Sequence, residues 1–378
     1  MCRTGLCVVI WLLGTTHLRG EEPETRLVIS EEAREIHQSG LLFDGHNDLP
    51  WQIWQIGNSS FETMDIAQPQ PKLHTDIARV KAGGLKAQFC SVYVPAETDI
   101  TGGALLKTLG QIDLVHKMVK KYPDVFEIAR TADDVERIAK QGRVASMMGV
   151  EGGHCIENSL QNLKRFYDLG VRYMTLTHSR SLGWADSATG KAQNGGLSEF
   201  GKEVVREMNQ IGMLVDLSHV SPKTMKDALE VSEAPVIFSH SSARAICDHP
   251  RNVPDDVLKL LPQNGGVVMI NFYSGFIVPT EELKRDPKSR GNLDTVVDHI
   301  EHVIKVAGID HVGIGSDFDG INSTPVGLED VSTYPAITQE LLNRGYNRKA
   351  ILKILGGNVL RALRQAEKVA QRKDRKTD

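Results

Sequence analysis

Seven residues able to ligate a metal or move a proton fall at or just beyond the ends of short apolar runs. His46 and Asp48 lie in D-G-H-N-D, and Glu151 lies in G-V-E-G-G-H with His154 three residues on. His178 closes T-L-T-H, His219 closes D-L-S-H, His240 closes F-S-H, and Asp317 stands in S-D-F-D-G with Asp319 behind it. Imidazoles and carboxylates ending apolar runs are costly to bury unless something pairs them. A divalent cation would pair them together. Nitrogen and oxygen donors without thiolate suit zinc and argue against an iron–sulfur or purely structural site. His46 and Asp48 are two residues apart, so in extended chain both face the same side. Glu151 has two oxygens with which to bridge two ions, and His219 and His240, ending neighbouring runs, can hold the second. The pattern predicts a two-metal site with open positions for water and substrate. His37, His74, His116, His249, His299, His302 and His311 are read as ordinary surface or core residues. Asp319 is read as a turn carboxylate, and His154 as support behind Glu151.

Such a site needs elements that bring together residues spread over some 270 positions. Apolar, β-rich runs occur at 41–46, 85–94, 144–151, 171–178, 214–219, 235–240, 267–273 and 312–317. Amphipathic stretches at 160–169, 201–211, 223–231 and 296–307 lie between several of them. Short apolar strands alternating with helices indicate parallel βα units. Eight such units predict an α/β fold of the (β/α)8 TIM-barrel type, with additional C-terminal helices over 334–371. A barrel builds its site at the C-terminal ends of its strands, where the seven residues stand. A doubly wound open sheet is the competing fold. Its dinucleotide-binding form gets no support, because the first turn, Asp44-Gly45-His46, lacks G-x-G-x-x-G.

Charge and composition narrow the function further. Lys and Arg total 44 against 48 Asp and Glu, with no basic stripe, so nucleic acid is not an expected partner. Residues 6–13 form a short apolar run behind Arg3, too short to span a bilayer. The run reads as a secretory signal peptide over residues 1–20, followed by a single barrel domain over 21–378. The polar C-terminus carries no lipid-anchor signal. Secretion would leave Cys90, Cys155 and Cys247, an odd number that cannot all pair within one chain; they read as buried small hydrophobes. It would also make Asn58-Ser59-Ser60 and Asn322-Ser323-Thr324 candidate glycosylation sites of a secreted or extracellular protein.

In combination the motifs are specific. Asp44-Gly45-His46-Asn47-Asp48-Leu49-Pro50-Trp51, Gly149-Val150-Glu151-Gly152-Gly153-His154, Leu176-Thr177-His178-Ser179, Asp216-Leu217-Ser218-His219, Phe238-Ser239-His240-Ser241-Ser242, Arg251-Asn252-Val253-Pro254-Asp255-Asp256 and Asp317-Phe318-Asp319-Gly320 resemble the membrane (renal) dipeptidase family of metal-dependent amidohydrolases. The resemblance runs from about residue 28 to about residue 365. It implies a zinc-dependent dipeptidase on a (β/α)8 barrel, with two Zn2+ per chain, dipeptide substrates and a homodimeric state. It assigns one zinc to His46 and Asp48 and the other to His219 and His240, with Glu151 bridging. It gives substrate binding to His178 and Arg251 and proton transfer to Asp317. The chemistry agrees with these roles. Two cations turn a bridging water into hydroxide near neutral pH, and His178 can stabilise the oxyanion. Asp317 can move the water's proton to the leaving amine, and Arg251 offers a bidentate fork to a C-terminal carboxylate.

Membrane attachment and disulfide-linked dimers, common among vertebrate members, find no matching signal in this chain. A deaminase or lactonase of the same superfamily is the alternative, but those usually begin His-x-His and bridge with Lys. A secreted binding protein on an inactive barrel is a third reading, and it would show a missing ligand.

Overall fold

The structure, a computed structural model, describes residues 27–377. The segment read as a signal peptide lies outside these residues. Nine parallel strands are present among them: β1 Phe43–Asn47, β2 Ala87–Tyr93, β3 Phe126–Ile128, β4 Val144–Glu151, β5 Val171–Thr175, β6 Leu214–Asp216, β7 Ile237–Phe238, β8 Val267–Ile270 and β9 Val312–Ile314. Eight close into a ring in the order β2-β1-β9-β8-β7-β6-β5-β4, and β2 and β4 pair to complete it. This is the expected (β/α)8 barrel. The short β3 pairs with Val144–Ser146 of β4, while β5 takes the later residues from Met148 onward, so β3 lies beside the ring. Three residues, Phe-Glu-Ile, are too short a run to stand out as a strand in the sequence.

The strands are buried on both faces, and their side chains alternate between two apolar clusters. Phe89, Met147, Tyr173 and Met269 belong to the inner cluster, while Cys90, Met148, Met174 and Ile270 pack outward against the helices. This is why the strands read as nearly continuous apolar runs. Serine or asparagine caps start the outer helices. Ser159, Ser198 and Ser221 accept backbone N–H groups of the helices beginning at Leu160, Glu199 and Pro222, and Asn292 forms a capping box with Thr295 ahead of Leu293–Ala307. Each cap contributes about 1 kcal/mol. The C-terminal helix Asn358–Thr377 brings Val359, Leu363 and Ala366 into the inner cluster with Phe43 and Val267, closing the N-terminal end of the barrel. Of the expected C-terminal helices, those at Pro335–Asn343 and Arg348–Leu352 pack in the outer cluster, and only the last is the floor of the fold, opposite the strand ends that carry the chemistry.

Candidate metal centre and substrate pocket

The predicted residues converge at the C-terminal mouth because the strands stop short and the chain turns there. Strands predicted over 235–240 and 312–317 end at Phe238 and Ile314, and His240 and Asp317 lie in the turns beyond. His219, Asp317 and Asp319 have φ of 67°, 65° and 67°. A side chain in this left-handed region costs about 1–2 kcal/mol, and such residues cluster at functional sites. The turns are tied together: the N–H of Asp317 donates to the His46 carbonyl at 3.1 Å, and that of Asp48 to the Phe318 carbonyl at 2.9 Å. Gly320 is required by space. A Cβ there would stand 2.2 Å from Asp48 Oδ2 and 2.7 Å from Asp317 Oδ1.

Glu151 occupies the centre. Its Oε1 lies 2.9 Å from His219 Nε2 and 3.5 Å from His240 Nε2, and its Oε2 lies 3.6 Å from His46 Nε2. His46 Nε2 is 3.2 Å from Asp48 Oδ2, and the Nε2 atoms of His219 and His240 are 2.9 Å apart. Two groupings have donor atoms mutually within 4.8 Å: His46–Asp48–Glu151 and Glu151–His219–His240; a third is His46–His240–Asp317. The buried Nε2 of His46 has no hydrogen-bond partner. A bare nitrogen among carboxylates fits a divalent ion. Protonation fits as well. Burial opposes ionisation of Glu151, but the surrounding imidazoles hold it well below the usual carboxylate range. Burial pushes His219 and His240 well below the ordinary histidine range, with Arg251 and His46 respectively adding to it. His46 goes the other way: burial opposes its charge, yet Tyr173, Asp48 and Glu151 hold it well above that range. The centre thus offers anionic and neutral donors in a field that draws positive charge.

The cluster forms the floor of a pocket of about 490 Å³. His178 stands on its wall, with Nε2 3.7 Å from Glu151 Oε1 and its ring against Tyr93 and His219. Burial lowers its pKa, so the imidazole is neutral near pH 7. Asp317 is pushed up to about 8 by burial and by the Asp48 and Glu151 carboxylates, against the opposing influence of His46 and Asn271. Arg251 is 3% exposed, its guanidinium 5.2 Å from the Phe276 ring centre. Its hydrogen bonds run to Ser241 Oγ and the His240 carbonyl, both at 3.4 Å, and it has no ion-pair partner among the described residues. Burial lowers its pKa only to about 10, so it stays charged.

Other residues take places that the sequence did not point to. The Tyr173 hydroxyl meets His46 Nδ1 at 2.7 Å, and Asn271 Nδ2 donates to Asp317 Oδ2 at 2.8 Å. Tyr93, Tyr273 and Phe276 line the pocket. Asn271 falls inside the run read over 267–273 and becomes a strand-end residue only because the strand stops at Ile270. Tyr173 had no signal, lying inside a strand. His154 turns away from the cluster: its Nε2 meets the Val94 carbonyl at 3.1 Å. Asp319 is in a turn, as expected, but is buried, accepting the His74 N–H at 2.6 Å.

A parallel barrel with clustered imidazoles and carboxylates at its C-terminal mouth defines a metallohydrolase of the amidohydrolase type. The sequence profile described as membrane dipeptidase (peptidase family M19) matches residues 30–377, and the chain belongs to that family. It is 41% identical over 349 residues to "Dipeptidase 3" of Mus musculus, covering 91% of this chain and 68% of that protein. It is 46% identical over 337 residues to "Dipeptidase tcpJ" of Claviceps purpurea, covering 86% and 77%. Among solved structures, the probable dipeptidase PvdM from Pseudomonas aeruginosa matches with a TM-score of 0.81 at 26% identity, over 90% of this chain and 98% of that one. A metallo peptidase from Rhodobacter sphaeroides, liganded with a phosphinate mimic of the dipeptide L-Ala-D-Ala, matches at 0.76 and 27%, over 86% and 99%. The protein is a dipeptidase of this metal-dependent family.

Proposed function

We propose that the chain hydrolyses dipeptides bearing a free C-terminal carboxylate, and that two zinc ions supply the activated water. His46 and Asp48 hold one ion, His219 and His240 the other, and Glu151 bridges. When bound, such a pair acidifies water and polarises a carbonyl. The observation that carries the substrate reading is Arg251, a buried guanidinium without an ion-pair partner on the wall of the pocket. A buried unpaired charge is costly, and a carboxylate offers it a bidentate partner. His178 is placed to donate to the carbonyl oxygen as negative charge develops there. Asp317 accepts a proton and returns it to the leaving amine, and Asn271 Nδ2, donating to its Oδ2 at 2.8 Å, holds the carboxyl at the mouth for both steps. As part of the same reading, the chain from residue 21 is one domain, secreted as a homodimer and glycosylated at the exposed Asn58 and Asn322.

The test is metal analysis of the purified chain with turnover of a dipeptide and its C-terminal amide. Two zinc ions per chain and preference for the free acid are expected. Full activity after exhaustive removal of transition metal would sink the metal reading, and equal cleavage of acid and amide would sink the carboxylate reading.

A further inference from the structure

Two fully buried carboxylates, Asp44 in β1 and Asp216 at the end of β6, stand behind the mouth without lining the pocket. Each clamps a serine on the neighbouring strand's end by the same two bonds. Asp44 accepts the N–H of Ser316 at 2.8 Å and its hydroxyl at 2.6 Å. Asp216 accepts the N–H of Ser239 at 2.8 Å and its hydroxyl at 2.7 Å. The clamps occur where the backbone ladders are shortest: β1 and β9 register at Asp44 and Ile314, and β6 and β7 at Asp216 and Ile237. Each serine immediately precedes a candidate site residue, Asp317 or His240.

The two clamps end differently. Ser316 Oγ is met by the Tyr334 hydroxyl at 3.1 Å, whereas Ser239 Oγ is 2.8 Å from Nδ1 of His240. We propose that Asp216 is a positioning residue that, through Ser239, sets which ring nitrogen of His240 is left bare for a metal ion. Asp216 only accepts: Ser218 N–H, Thr175 Oγ, and both Ser239 donors converge on it. The hydroxyl of Ser239 has one proton, and it goes to Asp216. Its oxygen must then accept from the imidazole, so the ring proton sits on Nδ1. Nε2, the atom facing Glu151 and His219, is left with its lone pair. The carboxylate thus dictates the tautomer through an intervening hydroxyl, the kind of outer support that tunes metal ligands. The inference rests on the reading of His240 as a ligand.

Asp216→Asn tests it. The amide can keep the Ser239 N–H bond while its NH2 faces the hydroxyl, which then turns its proton toward Nδ1 and moves the ring proton to Nε2. Histidine nitrogen shifts of the metal-free full-length chain should report that move. Competition with a chelator should show affinity for one of two zinc ions reduced about 10- to 100-fold. Ser239→Ala should weaken the same ion, while Ser239→Thr, which keeps the hydroxyl, should restore it. Asp44 has no imidazole behind its serine and accepts the backbone N–H of His46 at 3.3 Å on the same oxygen as the Ser316 N–H; Asp44→Asn, whose carbonyl can keep both bonds, should leave both zinc affinities in place. Unchanged zinc affinity in both Asp216→Asn and Ser239→Ala would overturn the assignment. So would equal losses in Asp44→Asn and Asp216→Asn, which would make both carboxylates simple strand clamps. Failure of the wild type to bind zinc would count against the metal reading itself, and the nitrogen shifts would then decide the tautomer alone.

Discussion

The histidines at the barrel mouth and those packed among the helices are chemically opposite, although His46 and His240 are as buried as His299 and His37. His299 accepts the Ala243 N–H on Nδ1 at 3.0 Å and donates from Nε2 to the Ile277 carbonyl at 2.8 Å. His37 is likewise matched on both nitrogens, by Thr338 Oγ and the Gly83 carbonyl. At the mouth, His46 Nε2 faces only the Asp48 and Glu151 carboxylates, His178 Nδ1 has no hydrogen-bond partner, and His219 and His240 turn Nε2 toward each other and a shared carboxylate. A structural histidine closes its hydrogen bonds within the fold. The proposed ligands keep Nε2 toward the shared carboxylate instead, and His219 among them sits at a positive φ. An open nitrogen alone does not separate the two, since His154 Nδ1 is also unpartnered; the shared carboxylate of Glu151 facing Nε2 of His46, His219 and His240 does.

The strongest way to break this comparison is Glu151→Gln. Removing charge from the shared carboxylate should weaken both ions together and lower kcat/KM by at least about 10³-fold, about 4 kcal/mol. Zinc at wild-type stoichiometry with normal turnover would show that Glu151 is no bridge. Asp317→Asn should lower kcat by about 10²–10⁴ while metal content stays as in wild type. Zinc lost along with activity would instead make Asp317 a ligand, as its grouping with His46 and His240 allows.

The other side of the comparison is sharpened by pH. Burial pushes the pKa of His299 down to about 4, below its ordinary 6.5. As pH falls, the unfolded chain takes up this proton before the folded one does. Stability is therefore full above about pH 6.5 and is lost as pH drops toward about 4, by up to about 3 kcal/mol. Urea unfolding at about pH 7 and about pH 4.5 should show a shallower fall for His299→Gln than for wild type. Equal falls would mean that His299 is not the titrating group. The smallest effect is expected from Arg251→Ala, a loss of about 10- to 100-fold in preference for a dipeptide over its C-terminal amide, from a bond of roughly 1.5–3 kcal/mol. It should appear mainly in KM if the contact is equal in ground and transition states. A variant that keeps the preference would place carboxylate recognition elsewhere.

Much of this arrangement was legible from residue order alone. Apolar runs of strand length, six of the eight ending in a polar group able to bind metal or move a proton, state both the fold and the place of the site, because a barrel builds its chemistry where its strands stop. All eight ring strands were visible this way, as was every residue now grouped around Glu151. Cys90, Cys155 and Cys247 are free and buried, as small hydrophobes should be.

What only the tertiary structure decided is who faces whom. Tyr173 sits inside a strand with no local mark, yet its hydroxyl meets His46 across the barrel. His154 lies three residues from Glu151 but turns to Val94. Asp44 and Asp216 read as minor members of motifs until the neighbouring strand brings a serine to each. Arg251 in the sequence is one arginine before a short helix, and its burial without a counter-ion comes from packing against Phe276 and Ser241. Periodicity and residue type are properties of the chain and can be read along it. Hydrogen-bond partnership across 23 to 290 residues depends on ring closure, and ring closure exists only in the folded barrel.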